Sequence, residues 1–536
     1  MAPEIYDYVV VGAGTAGCVV ANRLTADAGT TVLLLEAGGE DRNPWIKVPL
    51  GTGKVFNDRR LNWNYESEPC PDLRGRVLYQ PRGKVLGGTG SINGMIYCRG
   101  NAADYDEWAA AGCAGWSYAE VLPFFKQAED QARGADAYHG VGGPLGVSGP
   151  IYRHPLADAM IAAAGEVGHP ENPDFNGRNQ DGAGYFQFTI RRGRRVSPAS
   201  AYLHPVRHRR NLTVRTRSLA EQVVIEAGRA TGVRYRRDGV RQEVRARKEV
   251  VLCGGAFNSP QLLQLSGIGP AVLLRSLSID VVRDCTKVGA NYQDHFGMRM
   301  AFRSKRADTL NDEVGTWWRK ARMGLRYLVS RSGPMAAPGL PAGLFARSSP
   351  ALTAPDVELV LSLWTMVQGE RNKARVVDPF SAFGMVLEDV QPDGRGRVEI
   401  GSPDAGHAPR IHCRFLATDR DCRALIFAVR ETRRIFAAPA MAGFTGEELL
   451  PGSGVVTDEQ IIDFARDNAF GLYHPAGTCA MGPSPDDVVD PLLRVRGVDA
   501  LRVIDASVMP RITRGNINAT VAMIAERGTA LILAGA

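Results

Sequence analysis

Residues 6–39 read YDYVVVGAGTAGCVVANRLTADAGTTVLLLEAGG. The stretch opens on a short apolar run, Tyr8 to Val11, and turns through Gly12-Ala13-Gly14-Thr15-Ala16-Gly17. It continues with helical character and closes on a second apolar run, Thr31 to Leu35, followed by Glu36 and Ala37. A parallel strand covered on both faces needs such an uninterrupted apolar run. In this pattern Gly12 permits the tight turn, Gly14 lets backbone approach a pyrophosphate, and Gly17 lets helix and strand lie close. The helix start at Thr15 and Ala16 offers free N–H groups and the positive end of the helix dipole to phosphates. Glu36 is placed to accept hydrogen bonds from ribose hydroxyls. A GxGxxG alone is common. Strand, turn, helix, strand and acid in register predict a dinucleotide site.

Outside this stretch, bulk properties narrow the class. A chain of 536 residues is too long for one core, so two domains are expected. With 44% apolar and 23% charged residues, the composition is that of an ordinary globular protein. The net charge of +7 is spread out. Its densest runs, Arg191-Arg192-Gly193-Arg194-Arg195 and Arg207-His208-Arg209-Arg210, read as solvated loops, with an anionic substrate or the cofactor pyrophosphate as another use for one of these arginines, and no nucleic-acid motif accompanies them. The first strand begins within ten residues of Met1, which leaves no room for a secretory signal, and no apolar stretch is long enough for a transmembrane segment. Nine scattered cysteines without a CxxC pair read as reduced thiols of a cytoplasmic protein. There is no HExxH, and Pro205 between His204 and His208 argues against a helical ligand pair, so no metal is assigned.

Further along, residues 81–95 (PRGKVLGGTGSINGM) carry five glycines and small hydroxyls, a backbone suited to lie flat against a ring system. Residues 140–150 form a Gly/Pro linker by composition. Residues 212–252 alternate as a β-meander returning to the first domain. Residues 296–465 mix strands and helices as an α+β unit. The expected partition is a dinucleotide-cofactor domain built from 1–150, 212–295 and 466–536, with a substrate domain from 151–211 and 296–465.

Four separate stretches carry a family resemblance. Residues 83–100 (GKVLGGTGSINGMIYCRG) and 255–269 (GAFNSPQLLQLSGIG) resemble the two signatures of the glucose–methanol–choline (GMC) oxidoreductases. Residues 473–479 (YHPAGTC) are similar to the family's catalytic-histidine segment. Residues 505–510 (DASVMP) and 515–520 (GNINAT) are similar to its C-terminal flavin segment. The resemblance covers essentially the whole chain and is nearest to the choline-dehydrogenase-like bacterial branch. It implies a Rossmann-like FAD-binding domain with a discontinuous substrate domain on an antiparallel sheet. Gly12, Gly14, Thr15, Ala16, Gly17, Glu36 and Ala37 would hold the ADP half of FAD, and Val223 would meet the adenine through its backbone. Arg82, Gly88 and Ser91 would join the cofactor set. Asn93, Gly94 and Met95 would lie along the isoalloxazine, with Asp505, Ala506, Asn518, Ala519 and Thr520 completing the pocket. Ile92 stands where some relatives tether FAD through a histidine, so dissociable FAD is expected.

Alcohol oxidation removes a hydroxyl proton and a carbinol hydride. The hydride goes to flavin N5, and the proton needs a base, for which histidine is suited. His474 is the expected base, and Asn518, by family analogy, the residue holding the substrate oxygen. The expected reaction converts a primary alcohol to an aldehyde, with oxygen or another acceptor reoxidising the flavin. Phe470-Gly471-Leu472 ahead of Tyr473 suggests an aliphatic or aromatic substrate. Trp317, Trp318, Trp364 and Phe380 could wall it, or could cage choline, although no carboxylate to complete such a cage is evident in the sequence. Choline oxidation is the alternative. A hydroxynitrile lyase is a more distant one, and retention of His474 and Asn518 argues against a light-driven decarboxylase. An oligomer is compatible with the sequence.

Overall fold

The computed structural model describes residues 3–366 and 377–535. The two apolar runs that open the chain become adjacent parallel strands, β1 (Glu4–Val11) and β2 (Val32–Leu35), joined by α1 (Thr15–Leu24). Val9, Val10, Leu33 and Leu34 are fully buried, as strands covered on both faces require. The strand Val240–Leu252 pairs parallel to β1 on its other side, and Leu501–Val503 pairs parallel to the end of Val240–Leu252. Ser218–Glu226 and Arg229–Arg237 fold back antiparallel, as a meander should. Leu212–Arg215 departs from that reading. It pairs parallel to β2 and forms the sheet's far edge. The chain leaves this edge through Arg217, whose φ is 55°, where Arg217 and Ser218 donate their N–H groups to the Gly38 and Glu36 carbonyls. The helix α2 (Gly255–Leu265) follows the sheet's longest strand.

Three strands form the centre of a second sheet, β3 (Phe296–Ser304), β4 (Val357–Ser362) and β5 (Ala382–Asp389), in the order β3, β5, β4. Ala342–Ala346 and Gly182–Tyr185 extend it beyond β4, and Thr445–Leu450 and Phe470–Gly471 pair with β3. Every pairing is antiparallel. Alternation along β5 divides its work. Phe383 and Leu387 join a core with Leu425 and Val429 of the covering helix Asp419–Ala437, Gly384, Val386 and Glu388 line the cavity between the two sheets, and Met385 belongs to the core and reaches the cavity as well. Phe470–Gly471, on the cofactor side of the expected partition, is hydrogen-bonded into this second sheet.

Two consecutive helices, α3 (Leu310–Gly315) and α4 (Trp317–Ser330), lie between β3 and Ala342–Ala346. The C-terminal helix α5 (Asn518–Leu533) packs on α1. The architecture is thus a Rossmann-like α/β domain facing an antiparallel sheet backed by helices. All nine cysteines are free thiols, and among the described residues no helix is long and apolar enough to cross a membrane.

Candidate active site

A cavity of about 1180 Å³ runs between the two sheets. Its floor is the glycine turn. Gly12 has φ +97°, and a Cβ there would meet the Cys253 carbonyl oxygen at 2.5 Å; a Cβ on Gly17 would come within 1.8 Å of the Gly12 oxygen. These two glycines let α1 sit against β1, and no side chain fits at either. A Cβ on Gly14 would project into open space, which leaves its backbone accessible from the cavity. The second glycine loop closes on the first, since a Cβ on Gly88 would lie 2.7 Å from the Gly14 Cα.

The acids of the cradle are held by backbone. Glu36 accepts the N–H groups of Ala13 and Gly38, each at 2.8 Å, and burial pushes its carboxyl up to about 7. Asp505 accepts from Gly255 N–H at 2.8 Å and Ser259 Oγ at 2.6 Å, and from Ser507 N–H at 2.8 Å and its Oγ at 2.6 Å. Asp505 therefore ties the start of α2 to the C-terminal segment. Asn518, at the start of α5, accepts from the Thr15 hydroxyl at 2.7 Å, which joins the two helix N-termini at the cavity wall.

Of the expected cofactor residues, Gly12, Gly14, Thr15, Ala16, Glu36, Ala37, Arg82, Gly88, Asn93, Gly94, Met95, Asp505, Ala506 and Asn518 line the cavity. Five do not. Gly17 acts by its lack of a side chain. Ser91 Oγ donates to the Leu86 carbonyl at 2.7 Å, and Thr520 shares a hydrogen bond with Tyr105 at 2.7 Å. Ala519 is buried within α5. Val223 is 1% exposed, its N–H donates to Ser266 Oγ at 2.8 Å, and it does not line the cavity. The wall there is Ser218, Leu219 and Ala220, on the same strand and nearer the turn from the sheet edge.

His474 also lines the cavity, on a backbone clamped from both sides. Tyr473 has φ +70°, unusual for a residue with a side chain. Arg82 donates to the Tyr473 carbonyl, and His474 N–H donates to Asp294 Oδ1 at 2.6 Å. Nε2 of His474 lies 3.1 Å from the Asn516 side-chain nitrogen, and Nδ1 lies 3.1 Å from Nδ1 of His295. With the Asn516 amide donating as placed, Nε2 carries the lone pair and Nδ1 the proton, which then donates to His295. Burial, reinforced by the Arg82 guanidinium, pushes the imidazole down to about 3. The ring is therefore neutral across the neutral range, with no proton on Nε2.

Asn518 was expected beside this histidine. The structure puts Asn516 there instead. Asn518 already belongs to α5, where its side chain turns to Thr15, while Asn516 is in the loop before the helix. The GNIN spacing held the signal, since two asparagines two apart at a helix start cannot both face one neighbour.

Sequence reading also missed the acid behind the histidines. Glu388 of β5 pairs in register with Gly297 on one side and Glu358 of β4 on the other. Ligand atoms of Glu388, His295 and His474 lie within 4.8 Å of one another. Both oxygens of Glu358, Oε2 of Glu388, Nε2 of His295 and Oδ1 of Asn516 have no hydrogen-bond partner among the described residues. Burial raises the Glu358 carboxyl to about 8, and burial plus Glu358 raises that of Glu388 well above its ordinary value. The signal was a carboxylate pattern, Glu388-Asp389, ending a strand buried at all eight positions.

The basic run 191–195 also divides. Arg195 is buried, and it donates to Asn93 Oδ1 at 2.7 Å, Thr52 Oγ1 at 2.8 Å and the Ile46 carbonyl at 2.8 Å. It thereby holds Asn93 in the cavity wall. Phe470, Leu472 and Trp364 line the cavity. Phe380 stacks on Arg303 at 4.3 Å, and Trp317 and Trp318 stand exposed on the outer surface, so none of these three walls the cavity.

Two GMC oxidoreductase family profiles match the chain, over residues 6–297 and 392–525. The chain belongs to the GMC oxidoreductase family. It is 41% identical to mitochondrial choline dehydrogenase of Mus musculus over 98% of this chain and 89% of the mouse protein. It is likewise 41% identical to the oxygen-dependent choline dehydrogenase of Yersinia pseudotuberculosis, over 97% of this chain and 92% of that one. Among solved structures, pyridoxine 4-oxidase from Mesorbium loti superposes with a TM-score of 0.89 at 32% identity, covering 98% of each chain. Formate oxidase of Aspergillus oryzae gives 0.92 at 26% identity over 99% and 98%. As a GMC oxidoreductase the chain is an FAD-dependent enzyme, and its cradle fits that group. The glycine turn exposes backbone at Gly14, Glu36 lies on the wall at the end of β2, and Asn93, Gly94 and Met95 line the same cavity as His474.

Proposed function

We propose that this enzyme oxidises a small primary alcohol to its aldehyde, with His474 as the base and Asn516 as the hydrogen-bond donor to the substrate oxygen. The observation that carries the proposal is the His474–Asn516 pair, 3.1 Å apart on the wall of the cavity that also holds the cofactor cradle. FAD, when bound, accepts the hydride. Nε2 of His474 takes the hydroxyl proton, and Asn516 stabilises the oxygen as it gains charge. Arg82 and Asp294 fix the backbone on which the base is presented, and the Nδ1 proton is held by His295.

Within that chemistry the names of the curated relatives favour choline. Glu388 supplies the carboxylate that a quaternary ammonium substrate calls for. It lines the cavity, close to His474, and retains an unpartnered oxygen. Phe470, Leu472 and Trp364 supply apolar and aromatic surface for the methyl groups. An uncharged aliphatic or aromatic alcohol is the second reading, favoured by Arg299 on the same cavity wall. The two separate in an anaerobic comparison of choline with 3,3-dimethylbutan-1-ol, its uncharged isostere. Faster flavin bleaching by choline supports the first; equal or faster bleaching by the isostere removes it.

We also propose that FAD is held without a covalent bond, because Ile92 is buried in a small apolar cluster with Ile46, Val55, Leu61 and Val85. Denaturation is expected to release flavin to the supernatant; flavin remaining with the precipitate contradicts this. Admitting air after reduction distinguishes oxygen from another acceptor by the speed at which the yellow colour returns.

A further inference from the structure

The two tryptophans that do not reach the cavity lie on a helix with an inverted surface. On α4, Trp317, Ala321, Leu325 and Leu328 follow one another at helical spacing, with Trp318 and Val329 alongside. This stripe points outward: Trp317 is 80% exposed, Leu325 64%, Leu328 68% and Val329 78%. The inward face is Met323 and Tyr327. Arg322, Arg326 and Arg319 border the stripe on one side and Lys320 on the other, and the helix contains no acid. The tip of the hairpin 190–195 sits against the same helix, where Tyr327 donates to the Gly193 carbonyl at 2.9 Å and Arg331 covers the Tyr327 ring at 4.8 Å. That contact brings the exposed Arg192 and Arg194 beside α4. Of these cations only Arg322 has a carboxylate partner among the described residues, Glu313 at 3.2 Å.

We infer that α4 and the 190–195 hairpin form a docking surface for an anionic lipid bilayer, with the Trp/Leu stripe entering the headgroup region and the arginines meeting lipid phosphates. An in-plane membrane helix has this composition: aromatic and aliphatic residues on one side, long cationic side chains at its borders. Charge decides between occupants. A second copy related by a two-fold axis would set this basic patch against itself. Nucleic acid would meet the charges and leave the apolar stripe in water. An anionic bilayer satisfies both. The position also has a consequence for the active site. Leu310 and Val314 of α3, which ends two residues before α4 begins, line the cavity, so docking brings that wall of the cavity to the lipid surface.

The test uses the full FAD-loaded chain and sedimentation with vesicles of phosphatidylcholine, with and without phosphatidylglycerol. The protein is expected to sediment with the anionic vesicles and to be released by high salt. Two variants on exposed positions follow: Leu325→Ser with Leu328→Ser and Val329→Ser, and Arg319→Glu with Arg326→Glu. Each is expected to weaken vesicle binding about tenfold or more while leaving alcohol-driven flavin reduction in solution unchanged, which shows that the fold is intact. Failure to bind anionic vesicles overturns the inference, as does binding that neither variant weakens. A dimer in analytical ultracentrifugation that the serine variant turns into monomer also overturns it, because a second copy then covers the stripe.

Discussion

The two ends of the cavity treat buried polar atoms in opposite ways. At the cradle, each oxygen of Glu36 receives a backbone N–H, and Asp505 has four donors. Around His474, oxygens of Glu358, Glu388 and Asn516 and a nitrogen of His295 have no partner among the described residues. A buried polar atom left unpaired costs about 1–3 kcal/mol. The cradle is finished by the chain itself and needs only the right shape to enter it. The pocket around His474 keeps unused hydrogen-bonding capacity within reach of a reacting substrate. Rigid, satisfied binding of the cofactor and an unsatisfied pocket for the substrate are what this contrast teaches.

The contrast breaks most sharply at His474. His474→Ala is expected to lower the anaerobic rate of flavin reduction by about 10²–10⁴-fold, the contribution of a positioned base, with the flavin spectrum of the bound cofactor retained. Near-normal reduction in that variant would remove His474 from the reaction. Asn516→Ala should cost about 10²–10³-fold in the same measurement, the size found for one donor to a developing oxyanion.

Glu388→Gln sharpens the comparison at the substrate end. If a substrate cation meets Glu388, KM for choline, measured at a pH where the carboxyl is ionised, rises about 10- to 100-fold, the loss of about 1.5–3 kcal/mol carried by a contact with a charged group, while KM for the uncharged isostere changes little. Equal effects on both alcohols would make Glu388 structural. The pH profile carries the same information with a fixed sign. Burial raises both carboxyls of the pair, Glu358 to about 8 and Glu388 well above its ordinary value, so burial holds back ionisation of both and a rising pH favours it. Cation binding needs the ionised form. Choline kcat/KM should therefore climb as the pH is raised from 7. The profile for the isostere should be flat there, because His474, pushed down to about 3, is already neutral. A choline profile that falls or stays flat would count against Glu388 as the cation's partner. The smallest effect is expected at Asn518→Ala, which loses the Thr15 bond in the cradle: FAD occupancy drops, and the reduction rate per bound flavin stays close to normal.

How far the sequence could be read follows the same division. The glycine turn was legible because Gly12 and Gly17 are dictated by local backbone geometry, and the apolar runs of β1 and β2 by burial on both faces. The motif singled out His474, which lies on the cavity wall. Asn516 was mistaken for Asn518 because the choice depends on where α5 begins, a boundary set by packing on α1. Glu388 and Glu358 escaped notice because they meet only when β5 pairs with β4. Val223 was placed at the adenine end although the strand register turns its N–H to Ser266, and Arg195 was read as solvated although a short hairpin carries it inward to Asn93. Trp317 and Trp318 have the composition of a cavity wall, and only the inward turn of Met323 and Tyr327 puts them outside.

The central claim is that alcohol oxidation takes place at the His474–Asn516 pair, and anaerobic stopped-flow reduction of the FAD-loaded wild type, Asn516→Ala and Asn518→Ala by choline tests it most directly. We expect Asn516→Ala to bind FAD normally and reduce it at least about 10²-fold more slowly, with Asn518→Ala near the wild-type rate per bound flavin. A near-normal rate in Asn516→Ala together with a collapsed rate in Asn518→Ala would contradict the assignment.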